Sequence, residues 1–112
     1  MTTRRQFIQA SVAGGTLTSL GVPALAQSSG PLKIGFVYVS PIGDAGWTTQ
    51  HNMGRLEMEK VLAGKVTTSF VEKVTEGADT ERVIREMATS GHRLIFATSF
   101  GYMNAVEKVS KE

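Results

Sequence analysis

Cysteine is absent from the 112 residues. Disulfides, thiolate metal sites, a cysteine nucleophile and a lipid anchor on a cysteine of this chain are therefore excluded. The two histidines, His51 and His92, stand far apart, so neither a metal cluster nor a nucleophile–base pair is expected. No run of about 20 apolar residues offers a membrane span. G-x-G-x-x-G and the Walker A pattern are both missing, which argues against dinucleotide and nucleoside triphosphate sites. An excess of one charge is also lacking. The formal +2 comes from Arg4 and Arg5, and beyond them ten Lys/Arg balance ten Asp/Glu. A chain without a basic stripe does not have nucleic acid as its partner.

What is present begins with a leader-like segment. Arg4 and Arg5 lie in a short basic start, 7–22 is mildly apolar with small residues, and Ala24-Leu25-Ala26 fits an A-x-A cleavage site. That layout predicts a signal peptide over 1–26, cleaved near Ala26. The pair Arg4-Arg5, followed by Gln6, Phe7 and Ile8, is also similar to a twin-arginine signal, and the twin-arginine and general secretory routes both stay open. Residues 27–31 are polar and form a flexible lead-in.

The stretch Lys33-Ile34-Gly35-Phe36-Val37-Tyr38-Val39 is nearly continuous in apolar character. A strand buried on both faces, as in a parallel sheet, explains this better than a half-exposed one. The spacing predicts strands over 32–39, 66–71 and 93–98. Helices are predicted from 44 or 45 to 63, over 78–90, and from 103 or 104 onward, where the third is cut off at Glu112. Gly54, Met58, Val61 and Leu62 are assigned to the inner side of the first helix, with Gly54 allowing close approach to the sheet. Val83, Ile84, Met87 and Ala88 form the stripe of the second, which Gly91 ends. The order β-α-β-α-β-α with right-handed crossovers predicts an α/β fold: a parallel three-stranded sheet, order 2-1-3, with flanking helices.

In that order the crossover reverses between strands one and three, so ligands are expected between the loops 40–47 and 98–102. Both loops carry aromatics. Trp47, the one tryptophan, and Phe100 are candidates to sandwich a flat ring, against a bland reading as core residues. Tyr102 adds a hydroxyl, and Ser40 and Ser99 stand at strand ends as hydrogen-bonding candidates. Asp44 is a ligand candidate read mainly as the N-cap of the first helix. His51 shares a helix face with Trp47, and His92 lies at the opposite end of the sheet. The charges from Glu76 to Glu86 read as solvated helix faces, as do Glu57, Glu59 and Lys60. No set of residues suggests catalysis, and no cofactor is expected.

The stretch 33–39, the run Gly43-Asp44-Ala45-Gly46-Trp47-Thr48 and the run Leu94 to Met103 together resemble the basic membrane protein family. Its members are substrate-binding proteins of ABC importers, related to the bacterial purine nucleoside receptor. The resemblance covers 32–112, a part of a two-lobed type I periplasmic binding protein. It implies a purine nucleoside or free purine base held between aromatic rings of two lobes. Trp47 falls where nucleoside receptors carry a stacking phenylalanine, and Asp44 matches a family aspartate. Nucleoside-binding members carry an Asp-Asn pair after strand one, whereas this chain reads Tyr38-Val39-Ser40-Pro41. That departure favours a free base such as adenine.

The resulting expectation is a monomeric periplasmic solute-binding protein, here a truncated N-terminal lobe, that hands a small-molecule ligand to an ABC permease in the inner membrane. Two alternatives remain at this level. One is an exported α/β enzyme with catalytic residues beyond Glu112, and the other is a non-functional gene fragment.

Overall fold

A computed structural model describes residues 30–112, and the predicted signal peptide lies outside the described residues. The elements are β1 (Leu32–Val37), α1 (Trp47–Val61), β2 (Val66–Val71), α2 (Ala78–Thr89), β3 (Leu94–Ala97), a 3-10 turn (Phe100–Tyr102) and α3 (Met103–Val109). The sheet is parallel with order β2-β1-β3, as expected. Registers run from Leu32 opposite Val66 to Val37 opposite Val71, and from Ile34 opposite Leu94 to Val37 opposite Ala97. Being central, β1 is covered on both faces from Ile34 to Val37. That burial is what its continuous apolar sequence required.

Two cores flank the sheet. On one side Val37 packs with Val74, Val83, Ile84, Met87 and Tyr102, beneath α2 and α3. On the other side Ile34, Phe36 and Tyr38 pack with Ile42, Met58 and Val66, beneath α1. Gly35 faces α2, where an added Cβ would stand 2.5 Å from Met87 Sδ. Its missing side chain is what lets that helix sit down on the central strand. Gly91 ends α2 as predicted, with φ +94°. The Gly91 and His92 amides donate to the carbonyls of Ala88 and Met87, the paired bonds of a glycine-terminated helix.

The first helix departs from expectation. It starts at Trp47, and its buried residues are Thr48, Thr49, Asn52 and Arg55. Met58 is half-buried, while Val61 is 69% exposed and Gly54 meets nothing within 4 Å. Gly54 therefore does not bring the helix close to the sheet. A polar network replaces the apolar stripe. Arg55 Nε donates to Asn52 Oδ1 at 3.0 Å, and its Nη1 donates to Thr68 Oγ1 at 2.9 Å. The guanidinium also lies 4.6 Å from the Phe70 ring centroid, and Thr68 donates to Glu59. A buried arginine is tolerable only when paired in this way. Tyr38 joins through a 3.5 Å bond to Asn52.

The third helix ends at Val109, with Ser110 as its C-cap, rather than running on to Glu112. It is tied to α2 at the surface. Arg85 donates to both Glu112 oxygens at 2.7 Å, and Lys108 donates to Glu81 at 2.9 Å.

Candidate functional site

The carboxyl ends of three parallel strands share one edge, so three loops meet there. After β1 the chain passes through buried Tyr38 and turns outward over 41–46 before α1. This loop is held from behind. Thr49 Oγ1 accepts the Gly43 amide at 3.0 Å and shares its proton between the Gly43 and Ala45 carbonyls. The Ser40 and Thr48 hydroxyls lie 2.6 Å apart. Asp44 does not cap α1: the N-cap is Gly46, with no side-chain capping bond. Helix start signals usually place the cap next to the first helical residue. Thr49, inside the helix, instead reaches back to fasten the loop through Gly43 and Ala45. The Asp44 side chain stays exposed, without a bonded partner among the described residues.

Trp47 is fixed at one edge and open on its face. Its Nε1–H donates to the Thr98 carbonyl at 2.5 Å, while 63% of the residue is exposed. Thr98 is itself clamped to β1, since its amide and its hydroxyl both donate to the Val37 carbonyl, at 3.1 and 2.9 Å. The indole is thus located against the strand ends rather than left to rotate. His51 approaches it edge-on at 4.8 Å. Gly46, Trp47, Gln50 and His51 line an open depression of about 470 Å³.

The loop after β3 divides its aromatics. Phe100, the first residue of the 3-10 turn, is 86% exposed. Tyr102 is fully buried and donates its hydroxyl to the Val74 carbonyl at 2.6 Å. Two steps along a 3-10 turn place side chains on different sides, so Tyr102 belongs to the core and not to the open edge. Burial, and then the nearby charges of Glu76 and Asp79, push its pKa up to about 12.

The β2–α2 loop was not foreseen as part of this edge, although parallel order alone places it there. It runs across the end of β1, with the Val74 amide donating to the Tyr38 carbonyl at 3.0 Å. On one side Glu72 Oε1 accepts the Ile42 amide at 2.7 Å. On the other Glu76 Oε1 accepts the Ser99 hydroxyl at 3.0 Å. Glu76 lies before α2, so the reading of it as a solvated helix charge is corrected. The remaining candidates sort clearly. Trp47, Ser99 and Phe100 are brought together through Thr98, and Ser40 turns toward Thr48. His92 is at the far end, bonded to Ser69 at 2.6 Å and to the Met87 carbonyl at 2.9 Å.

A family model described as ABC transporter substrate-binding protein PnrA-like matches residues 32–112. The chain belongs to that family. A purine-binding protein of Brucella abortus (strain 2308) is 46% identical over 97 residues, covering 87% of this chain and 28% of that protein. A protein of Haloferax volcanii, named for a proposed role as an ABC transporter glucose-binding protein, is 29% identical over 100 residues. That match covers 85% of this chain and 25% of the relative. The chain thus spans about a quarter of the length of the curated relatives it matches. The family's description is one of substrate binding for transport, not of catalysis.

Proposed function

We propose that this chain forms one jaw of a periplasmic receptor that captures a purine base or nucleoside and delivers it to an ABC permease. The observation that carries the reading is Trp47: an indole pinned through Nε1–H to the strand end, with its face left open. A flat heteroaromatic ring gains from offset stacking on such a fixed platform. Phe100 supplies a second exposed ring on the neighbouring loop. Ser40 and Ser99 each keep unused hydrogen-bonding capacity beyond their one bond. Exposed Asp44 is free to take a donor. Tyr102 is left out, because its hydroxyl is already committed in the core.

The name of the Brucella relative supports a purine. A second lobe would close over the ligand and exclude water, a hinge closure usual among periplasmic receptors. Residues 1–26 would direct export, with cleavage near Ala26. The receptor would act as a monomer, without a cofactor.

The test is a thermal-shift screen of the two-lobed protein against purines, pyrimidines, sugars and amino acids, followed by Trp47→Ala. Adenine or a related purine is expected to raise Tm, and the substitution to weaken its binding by about tenfold or more, some 1.4 kcal/mol. A shift with glucose and none with any purine would replace this reading with the one the Haloferax name suggests.

A further inference from the structure

Stacking on Trp47 and Phe100 is indifferent to which hydrogen-bonding groups a flat ring carries, so the edge needs a polar group to choose among rings. Glu76 is placed for that task. It is exposed, and one of its oxygens accepts the Ser99 hydroxyl at 3.0 Å. Three consecutive residues gather the components. Thr98 takes the Trp47 indole N–H, Ser99 takes the Glu76 carboxylate, and Phe100 projects outward.

Gly101 supplies a second, independent observation. An added Cβ there would stand 1.9 Å from Glu76 Cδ, 2.0 Å from Oε2 and 2.2 Å from Oε1. Gly101 is not among the glycines with positive φ, so its backbone alone does not call for glycine. The vacancy beside its Cα is filled by the carboxylate. Charge pairing distinguishes Glu76 as well. Asp79, Glu81 and Glu86, just beyond it on α2, all pair with arginine or lysine. Among the described residues no cation pairs with Glu76.

We infer that Glu76 is a specificity-determining ligand contact: the carboxylate held by Ser99 and admitted by Gly101 accepts N–H donors from the edge of a planar nitrogen heterocycle stacked at Trp47 and Phe100. A carboxylate only accepts, and it binds two adjacent N–H groups or one amino group more strongly than a neutral acceptor does. It repels a ring edge that offers only carbonyl oxygens. The inference rests on the purine reading above and adds the group that selects among purines.

Glu76→Gln tests it in the two-lobed protein. Glutamine keeps an oxygen for the Ser99 hydroxyl but turns the other position into a donor. Calorimetry with adenine and with hypoxanthine, in which the amino group becomes a carbonyl and the adjacent ring nitrogen gains a hydrogen, reads the change. Adenine affinity is expected to fall about tenfold or more, and the adenine-to-hypoxanthine ratio to move toward hypoxanthine, with the ligand-free Tm unchanged. Gly101→Ala, which evicts the carboxylate, should reproduce the loss, and added to Glu76→Ala it should cost no further affinity. If Glu76→Gln binds both bases with wild-type affinity and ratio, the inference is overturned while the purine reading stands. If the wild-type protein binds no purine at all, both fall.

Discussion

Tyr38 and Tyr102 show how much of a residue's role is set by what its hydroxyl meets. Both are fully buried. Tyr102 donates to a loop carbonyl on the α2 side, and Tyr38 to Asn52 on the α1 side. Burial raises both pKa values, Tyr102 to about 12, with Arg55 partly offsetting the rise at Tyr38. Each is therefore held neutral in the fold more firmly than in the unfolded chain. The stability this provides is complete below the unfolded value near 10 and is lost as pH climbs through the folded value. An absorbance titration at alkaline pH should show neither tyrosine ionising with a midpoint near 10, and unfolding should accompany the rise. Tyr102→Phe should remove the component near 12. Two midpoints at the value of free tyrosine would show that these hydroxyls reach water. Tyr38 falls within the stretch read from sequence as buried on both faces, whereas Tyr102 could not have been assigned to the core from sequence. Tyr102 sits two residues from Phe100, which is exposed, and only the path of the 3-10 turn separates them.

At the level of elements, the sheet and the two faces of α2 were readable because their residues follow simple periods. Val66–Val71 is a strand at its predicted limits. Val83, Ile84 and Met87 are buried as their spacing required, although Ala88 is exposed. The first helix was misread for a physical reason. Hydrophobic periodicity finds a stripe only when the buried side is apolar. Here Thr48, Asn52 and Arg55 occupy that side, Thr48 bonded to Ser40 and Arg55 to Asn52 and Thr68, while Met53 and Leu56 face outward at 56% and 49% exposure. Nothing in the local pattern announces that an arginine will be buried, since two of its partners, Thr68 and Phe70, come from a strand that follows. The opposite face makes a sharper prediction. Gly35→Ala would drive a methyl into Met87 and crowd His92. It is expected to destabilise the domain by about 1 kcal/mol, the lower end of overpacking costs, because methionine adapts readily. Urea unfolding of the variant measures this. A cost near zero would mean that α2 already stands off the sheet.

The whole molecule is an edge assembled from three loops, with much apolar surface left open around it. Trp47 and Phe100 are exposed at the strand ends, and Leu94 and Phe96 on β3 are 42% and 41% exposed. A single open face contacts a ligand on one side only, whereas small-molecule sites bury most of their ligand. The 112-residue chain by itself is therefore expected to bind purines negligibly. Calorimetry with adenine on this chain checks the point, and micromolar affinity would show that one jaw suffices. Placing the loops after β1 and β3 at a common edge followed from strand order. Recognising the loop after β2 as their brace did not, because its contribution lies in Glu72 reaching Ile42 and Glu76 reaching Ser99, across 30 and 23 residues of sequence.

The amino-acid sequence by itself determined the α/β class, the strand order, the apolar interior of the sheet and the position of Trp47 at the carboxyl edge of the strands. These depend on local periods, on glycine at turns and on the handedness of crossovers, all of which are carried within short stretches. Only the tertiary structure decided that Asp44 is not a cap, that Tyr102 is core, that α1 buries an arginine and that Glu76 stands beside Gly101. The last three are settled by a partner distant in sequence, and local pattern holds no record of where such a partner will come from.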